Sequence, residues 1–141
     1  MASLREQIVA AVAATLTGTP AGSSVFRSRS IPITRALSPA IVVTPLVESN
    51  PTMTMGGRAQ RQLEVRVEVI ARGAIPDSLA DATCVSAHTK IMADTRLGGL
   101  CIDIQEGGSE WVIQDADLDT VQIQTTYTVL YETQRKRIDL Q

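Results

Sequence analysis

The sequence predicts one α+β domain, in which an antiparallel or mixed β-sheet carries two helices packed on one face. Three observations support this fold class. A chain of 141 residues has the size of a single domain. Two stretches show the spacing of amphipathic helices, and the remaining apolar stretches have strand character. Because those strand-like stretches are grouped together, with only two helices, we expect antiparallel or mixed pairing.

The first helix is predicted to run from Ser3 to Leu16. Ser3 and Glu6 form an S-x-x-E capping box, in which the two side chains accept from backbone N–H groups that have no partner inside the helix. Apolar residues then recur at the i, i+4, i+7 spacing of one helix face. The segment 17–20, Thr-Gly-Thr-Pro, is expected to end the helix.

Strands are predicted next. Val25–Arg29 is a short candidate, and Ala40–Thr44 is a β-branched run typical of a buried strand, weakened at its far end by Pro45. Gln62–Arg72 shows the clearest alternation, in which Ile70 is the exception. Its apolar and its charged residues should therefore face opposite sides of the sheet.

The segment 50–61 differs from its surroundings because it has no usable periodicity and contains a Gly-Gly pair. It is predicted to be a flexible loop between two strands, and loops of that length are usually functional or disordered. Six of its residues are candidates for assembly contacts: Met53, Met55, Gly56, Gly57, Arg58 and Arg61.

The second helix is predicted to begin at Asp77 or Ser78 and to run to about Ala93. We expect its apolar stripe to consist of the following residues: Leu79, Ala82, Val85, Thr89 and Met92. A turn should follow at residues 97–100.

Three strands and a tail complete the prediction. Residues 101–105 and 110–114 should form two strands joined by a turn at 106–109, whose glycines are turn residues. The last strand is predicted over Leu118 to about Glu132, with one polar, largely uncharged face. The basic C-terminal tail, residues 134–141, is expected to be loose.

Composition excludes several classes of function. The net charge of −2, with both signs interspersed, does not favour nucleic-acid binding. Two cysteines are too few for a disulfide scaffold and are expected to be reduced thiols in a chain that folds in a cytosol. No apolar run is long enough to span a membrane, and the polar N-terminus predicts no signal peptide.

Candidate chemical sites are weak. Cys84 and His88 lie four residues apart on the second predicted helix, a spacing that suits a thiol–imidazole pair. The favoured interpretation is a packed Cys84 and a solvent-facing His88. Asp115, Asp117 and Asp119 lack the glycine and glutamate of a calcium loop. The glycine pairs fit no phosphate-binding motif. We therefore predict no catalytic, metal or cofactor site.

Strand surfaces are the remaining candidates. Arg66, Glu68, Gln122 and Gln124 lie on the polar faces of two predicted strands. Such a face either contacts solvent or pairs with a neighbouring subunit, and the sequence leaves both interpretations open. The pair Arg27 and Arg29 could meet an anionic partner, although surface arginines usually do not.

The order of these elements resembles a known family. The capped helix is followed by "VFRSRSIPI", "SPAIVVTP", "RQLEVRVEVIARG", "PDSLADATCVSAHTKIMADTRLGGLCIDI" and "TTYTVLYET". This pattern is similar, over nearly the whole chain, to the tail terminator (tail completion) proteins of long-tailed bacteriophages, in particular to the lambdoid minor tail protein U.

The resemblance implies a structural, non-enzymatic function in the virion tail. Such proteins form a hexameric ring of identical subunits that caps the tail tube, ends its polymerisation and offers a surface for head joining. The implied partners are other copies of the chain, the major tail tube protein and the head–tail connector protein. Assembly would take place in the cytoplasm of the bacterial host.

The resemblance also implies a long loop between central strands that contributes to ring contacts, and the segment 50–61 occupies that position. The implied function requires no cofactor, no membrane and no sequence-specific nucleic acid. A transient contact with DNA passing through the ring stays open. The alternative to a tail terminator is a neck or head–tail joining protein of the same general fold. A Cys/His hydrolase is a more distant alternative.

Overall fold

The computed structural model describes residues 2–29, 33–113 and 119–141, without the side chains of Arg35 and Ile113. These ranges contain two α-helices and six strands: α1 (Leu4–Thr15), β1 (Val25–Arg27), β2 (Ala40–Glu48), β3 (Thr52–Thr54), β4 (Arg58–Arg72), α2 (Pro76–Ala93), β5 (Asp103–Ile113) and β6 (Thr120–Gln134). Both helices pack on one face of a mixed sheet. The predicted α+β class is confirmed.

The sheet is organised around β4 and β6. Its strand order is β1-β2-β4-β6-β5, and β3 pairs with β4 as well. The pairing of β1 with β2 is parallel, and the other pairings are antiparallel. β4 and β6 each have 15 residues and pair without interruption from Arg58 opposite Gln134 to Arg72 opposite Thr120.

The main core lies between this sheet and the helices. On α1, Ile8 and Val12 are buried, as the apolar spacing predicts, and Ser3 accepts from the Glu6 N–H as predicted for the cap. The alternating residues of β4 and β6 supply the opposite wall of the core, which includes these side chains: Leu63, Val65, Val67, Val69, Ile123, Tyr127, Val129 and Tyr131.

The exceptional Ile70 belongs to a second, smaller core on the opposite face of the sheet. There it is buried with Ile33, Ala40 and Val42. Phe26 and Leu37 pack against the same cluster. The break in alternation therefore marks the place where both faces of β4 are covered. Residues 30–32, which belong to the segment read as "VFRSRSIPI", lie outside the described residues.

The structure corrects the predicted start and buried face of α2. The helix begins at Pro76 after Ile75, without a side-chain cap from Asp77 or Ser78. Its buried residues are small or β-branched: Ala80, Thr83, Ala87 and Ile91. Most of the predicted stripe points outward instead, since Leu79 is 46% and Val85 60% exposed; of its five residues, only Met92 packs partly against the core. Both stripes have helical spacing, and the smaller side chains bring the helix closer to a sheet that is already rich in valine and isoleucine.

The predicted loop at 50–61 is a hairpin. β3 pairs with Arg58–Gln60 of β4 across a turn in which Gly56 and Gly57 adopt φ values of +84° and +74°. Glycine tolerates this left-handed conformation at little cost. The sequence did not predict β3 because this stretch shows no alternation of apolar and polar residues. Its one fully buried side chain is that of Ala59.

Two further strand boundaries differ from prediction. β2 continues through Pro45 to Glu48, with a register shift between Pro45 and Val47 that accommodates the proline. The glycines at 107–108 form a bulge within one continuous β5, and do not form the predicted turn. A Cβ on Gly107 would lie 2.7 Å from the Thr126 carbonyl oxygen, so glycine is needed there.

The last strand is confirmed, with β6 continuing two residues beyond Glu132. The C-terminal segment that was predicted to be loose is hydrogen-bonded to the body of the protein. The Leu4 N–H donates to the Ile138 carbonyl at 2.7 Å, and the Arg135 N–H donates to the Gly57 carbonyl at 2.8 Å.

The corrected orientation of α2 can be tested by truncating one side chain on each face. Ile91→Ala should lower the free energy of unfolding by about 2–5 kcal/mol, because it leaves a cavity against the sheet. Val85→Ala, on the exposed face of the same helix, should change it by less than about 0.5 kcal/mol. Urea denaturation measures both, and a larger effect at Val85 would contradict the orientation.

Candidate assembly surfaces

The surroundings of Cys84 disfavour an activated thiol. Burial, and then the nearby Asp81 carboxylate, raise the pKa of Cys84 to about 11. His88 is not directed only to solvent, as the sequence interpretation had it. Its Nδ1 lies 3.1 Å from the Tyr127 hydroxyl, and its Nε2 lies 3.7 Å from a Glu106 carboxylate oxygen. The imidazole therefore bridges two strands of the sheet.

Cys101 has a similar environment. It is a free, buried thiol whose pKa is raised to about 11 by burial and by neighbouring carboxylates. Among the described side chains, no three of His, Cys, Asp or Glu converge as metal ligands would.

Asp115 and Asp117 of the predicted acidic turn lie outside the described residues. The described helices include none of the length and apolarity needed to cross a bilayer.

One end of the central strand pair extends beyond the neighbouring strands. β2 stops pairing with β4 at Leu63, and β5 starts pairing with β6 at Leu130. Residues 58–62 of β4, residues 131–134 of β6 and β3 therefore extend past the rest of the sheet, and together with the turn at 55–57 we call them the hairpin arm. Met55 at its tip is 95% exposed, and Met53 is 51% exposed.

The tip of the hairpin arm carries a basic depression. Gly56, Gly57, Arg58 and Gln134 line this open space of about 420 Å³ with Arg135 and Lys136. The Arg58 guanidinium is 3.5 Å from the Glu132 carboxylate. The charged groups of Arg135 and Lys136 have no ion-pair or hydrogen-bond partner among the described residues. The tip therefore offers two free cations beside an exposed methionine.

Arg61 has a different environment from the other loop candidates. It lies on the helix-bearing face at the base of the arm, where its guanidinium is 3.6 Å from Glu48 and 3.0 Å from the Thr133 hydroxyl. Glu48 also accepts from the buried Tyr131 hydroxyl and from Arg5 of α1 at 3.0 Å. Burial, and then the Glu48 carboxylate, raise the pKa of Tyr131. This cluster anchors the arm to α1.

Three of the four strand-surface candidates meet on the face opposite the helices. The Arg66 Nε lies 2.7 Å from a Glu68 carboxylate oxygen, and the Gln124 amide donates to the same carboxylate at 3.4 Å. Glu68 is 9% exposed, so this network is partly enclosed. Gln122 lies one position further along the same face of β6, opposite Ile70.

The arginines near β1 have partners within the chain. Arg27 donates two hydrogen bonds to the Glu6 carboxylate at 2.6 and 3.0 Å, which lowers the pKa of Glu6. The Arg29 guanidinium lies 4.3 Å above the centre of the Phe26 ring. Such contacts reduce what these arginines can offer to a partner.

Sequence reasoning missed two residues of these surfaces. Glu48 was not singled out because its partners are distant in sequence, and only the pairing of β2 with β4 brings them together. Trp111 was assigned only to a strand, yet its side chain is 58% exposed on β5. Its being the single tryptophan of the sequence is the signal that could have drawn attention to it, since tryptophan is enriched at interfaces.

Comparisons with known proteins bear on the fold. No protein-family model matches the chain, and no curated protein matches it. Among solved structures, the chain is similar to one from the "Virion of native gene transfer agent (GTA) particle". The TM-score is 0.57, the identity is 15%, and the match covers 92% of each chain. The fold is shared with a chain of a virion. At this identity the similarity concerns the architecture alone.

The environment of Cys84 predicts slow alkylation. A pKa near 11, compared with an ordinary value of 9.0, lowers the thiolate fraction at pH 8 about a hundredfold. Iodoacetamide at pH 8 should therefore modify Cys84 in the folded Cys101→Ser variant far more slowly than in the same variant unfolded by urea. Rapid modification of the folded form would restore the activated-thiol hypothesis.

Proposed function

We propose that this chain is a structural protein of a phage-like particle that serves as the tail terminator. In this role it forms a ring on the tail tube, ends tube polymerisation and provides the surface to which the head joins. The observation that carries the proposal is the fold shared with a virion chain over 92% of both sequences. The family resemblance of the sequence supplies the position in the tail.

A ring makes a specific demand on the subunit. Closed rings use head-to-tail contacts, so each subunit needs two different surfaces that complement each other. The hairpin arm supplies one distinctive surface, because Met55 and Met53 are exposed and methionine adapts readily to a partner. The proposed partners are five further copies of the chain, the major tail tube protein and the head–tail connector.

Candidate contact residues follow from these surfaces. On the arm they are Met53, Met55, Gly56, Gly57 and Arg58, while Arg61 supports the arm from its base. On the open face of the sheet they are Arg66, Glu68, Gln122 and Gln124. Neither set requires a cofactor or a chemical reaction. The protein is proposed to act in the virion tail after assembly in the host cytoplasm.

Imaging of purified tail tubes with added protein tests the function. The terminator should appear as a six-fold ring at one end of each tube, and tube lengthening in the presence of free tube protein should stop. Protein that binds the head connector but never the tube would instead support the alternative, a neck protein. Protein that binds neither would contradict both assignments.

The contribution of the arm is tested by Met55→Asp. This change should spare folding, because the side chain is 95% exposed, but should lower binding to tube ends at least about tenfold by placing a charge in an apolar contact. Ala82→Asp, which adds the same charge on the exposed face of α2, is the matched control. Tube-end occupancy counted in micrographs gives the readout, with thermal melts confirming the fold. Equal occupancy for both variants would exclude the arm.

A further inference from the structure

The β5 strand is an open edge of the sheet. Among the described residues it pairs with β6 alone, so the backbone groups along its outer side have no strand partner. Residues 105–111 are all exposed, including both glycines of the bulge. Unpaired edges are natural sites for contact with another chain, and the bulge and the charges on β5 restrict which surface can approach it.

The charge on this edge has one sign. No lysine or arginine occurs between Arg96 and Arg135, whereas β5 carries three acidic residues, Asp103, Glu106 and Glu110. Trp111 follows directly and is 58% exposed. An acidic strand with one exposed aromatic side chain favours a partner that combines cations with an apolar group.

The tip of the hairpin arm has that combination. Among the described residues, Arg135 and Lys136 are free cations and Met55 is the most exposed large apolar side chain. The other basic region, near β1, fits less well because Arg27 is already bound to Glu6 and Arg29 stacks on Phe26. Charge complementarity therefore selects the arm.

The arm tip cannot reach Glu106 or Glu110 within one molecule. Gln134 marks the tip in the β6 register, whereas Glu106 lies opposite Tyr127 and Glu110 opposite Gln124, seven and ten residues back. Seven and ten residues of extended strand span about 23 and 33 Å. The complementary surfaces must therefore meet between two copies of the chain.

We propose that the β5 edge of one copy receives the hairpin arm of the next. Glu106, on the helix-bearing face beside His88, and Glu110, on the open face beside Gln124, attract Arg135 and Lys136 from the two sides of the strand, and Trp111 contacts Met55. This contact is heterologous, as a ring requires. The contact names the two surfaces that join neighbouring subunits. Its role in a tail ring rests on the proposed function.

Charge exchange tests the contact directly. One double variant, Glu106→Lys/Glu110→Lys, makes the edge basic, and a second, Arg135→Glu/Lys136→Glu, makes the tip acidic. Sedimentation equilibrium in low salt should show self-association of the wild type. Each double variant alone should lose association roughly tenfold or more, because like charges then face each other. An equimolar mixture should regain it, since each variant then meets its complement.

Controls separate this contact from general charge effects. Asp77→Lys/Asp81→Lys changes the net charge as much as the edge variant does, on exposed positions of α2, and should associate as the wild type does. Raising the salt to 0.5 M should weaken wild-type association, because these charges are exposed and screened. Circular dichroism melts confirm that all variants fold.

The outcomes distinguish this contact from the proposed function. A wild type that stays monomeric at every concentration in low salt overturns the contact, while ring formation on tube ends is judged separately by imaging. Association that both double variants retain, or a mixture that stays dissociated, also overturns it. Restored association in the mixture supports it, even if the assemblies never bind tail tubes.

Discussion

The uninterrupted pairing of β4 with β6 is the constraint on which the rest of the structure depends. Fifteen residues on each strand are locked in one register, so every side chain on either strand is assigned to a face. The neighbouring strands cover only part of this length, since β2 stops at Leu63 and β5 starts at Leu130. The hairpin arm exists because β4 and β6 extend further than their neighbours, and the same register fixes which of its residues lie opposite one another.

The two faces of that pair have different physical roles. The helix-bearing face is filled by branched side chains, and the small Ala80, Thr83 and Ala87 bring α2 close to the strands. On the opposite face, the partly enclosed network of Arg66, Glu68 and Gln124 takes the place of an apolar layer. The main core therefore lies on one side, and the small core around Ile70 covers only one end of the opposite face. The rest of that face, the arm and the β5 edge are left for contacts with other proteins.

The periodicity of the sequence predicted the structural features that depend on neighbouring residues in the chain. It located both helices, the cap at Ser3 and the alternating faces of β4 and β6. Features set by long-range pairing were not accessible. The hairpin at 52–60, the bulge at Gly107 and the buried side of α2 all depend on which segment lies alongside. Met53 and Met55 could be named as contact candidates from the sequence, whereas the Glu48 cluster required the fold.

Charge placement bears on why such a subunit would form rings and not symmetric dimers. An open edge strand can pair with its own copy in an antiparallel, two-fold arrangement, which ends assembly at two subunits. Three acidic residues on β5, with no cation on that strand, make this self-pairing repulsive. The same charges attract the basic arm tip, which lies at a different place on the molecule. Repulsion between like edges and attraction between unlike surfaces both favour head-to-tail growth, and head-to-tail contacts close into a ring when the rotation between subunits allows it.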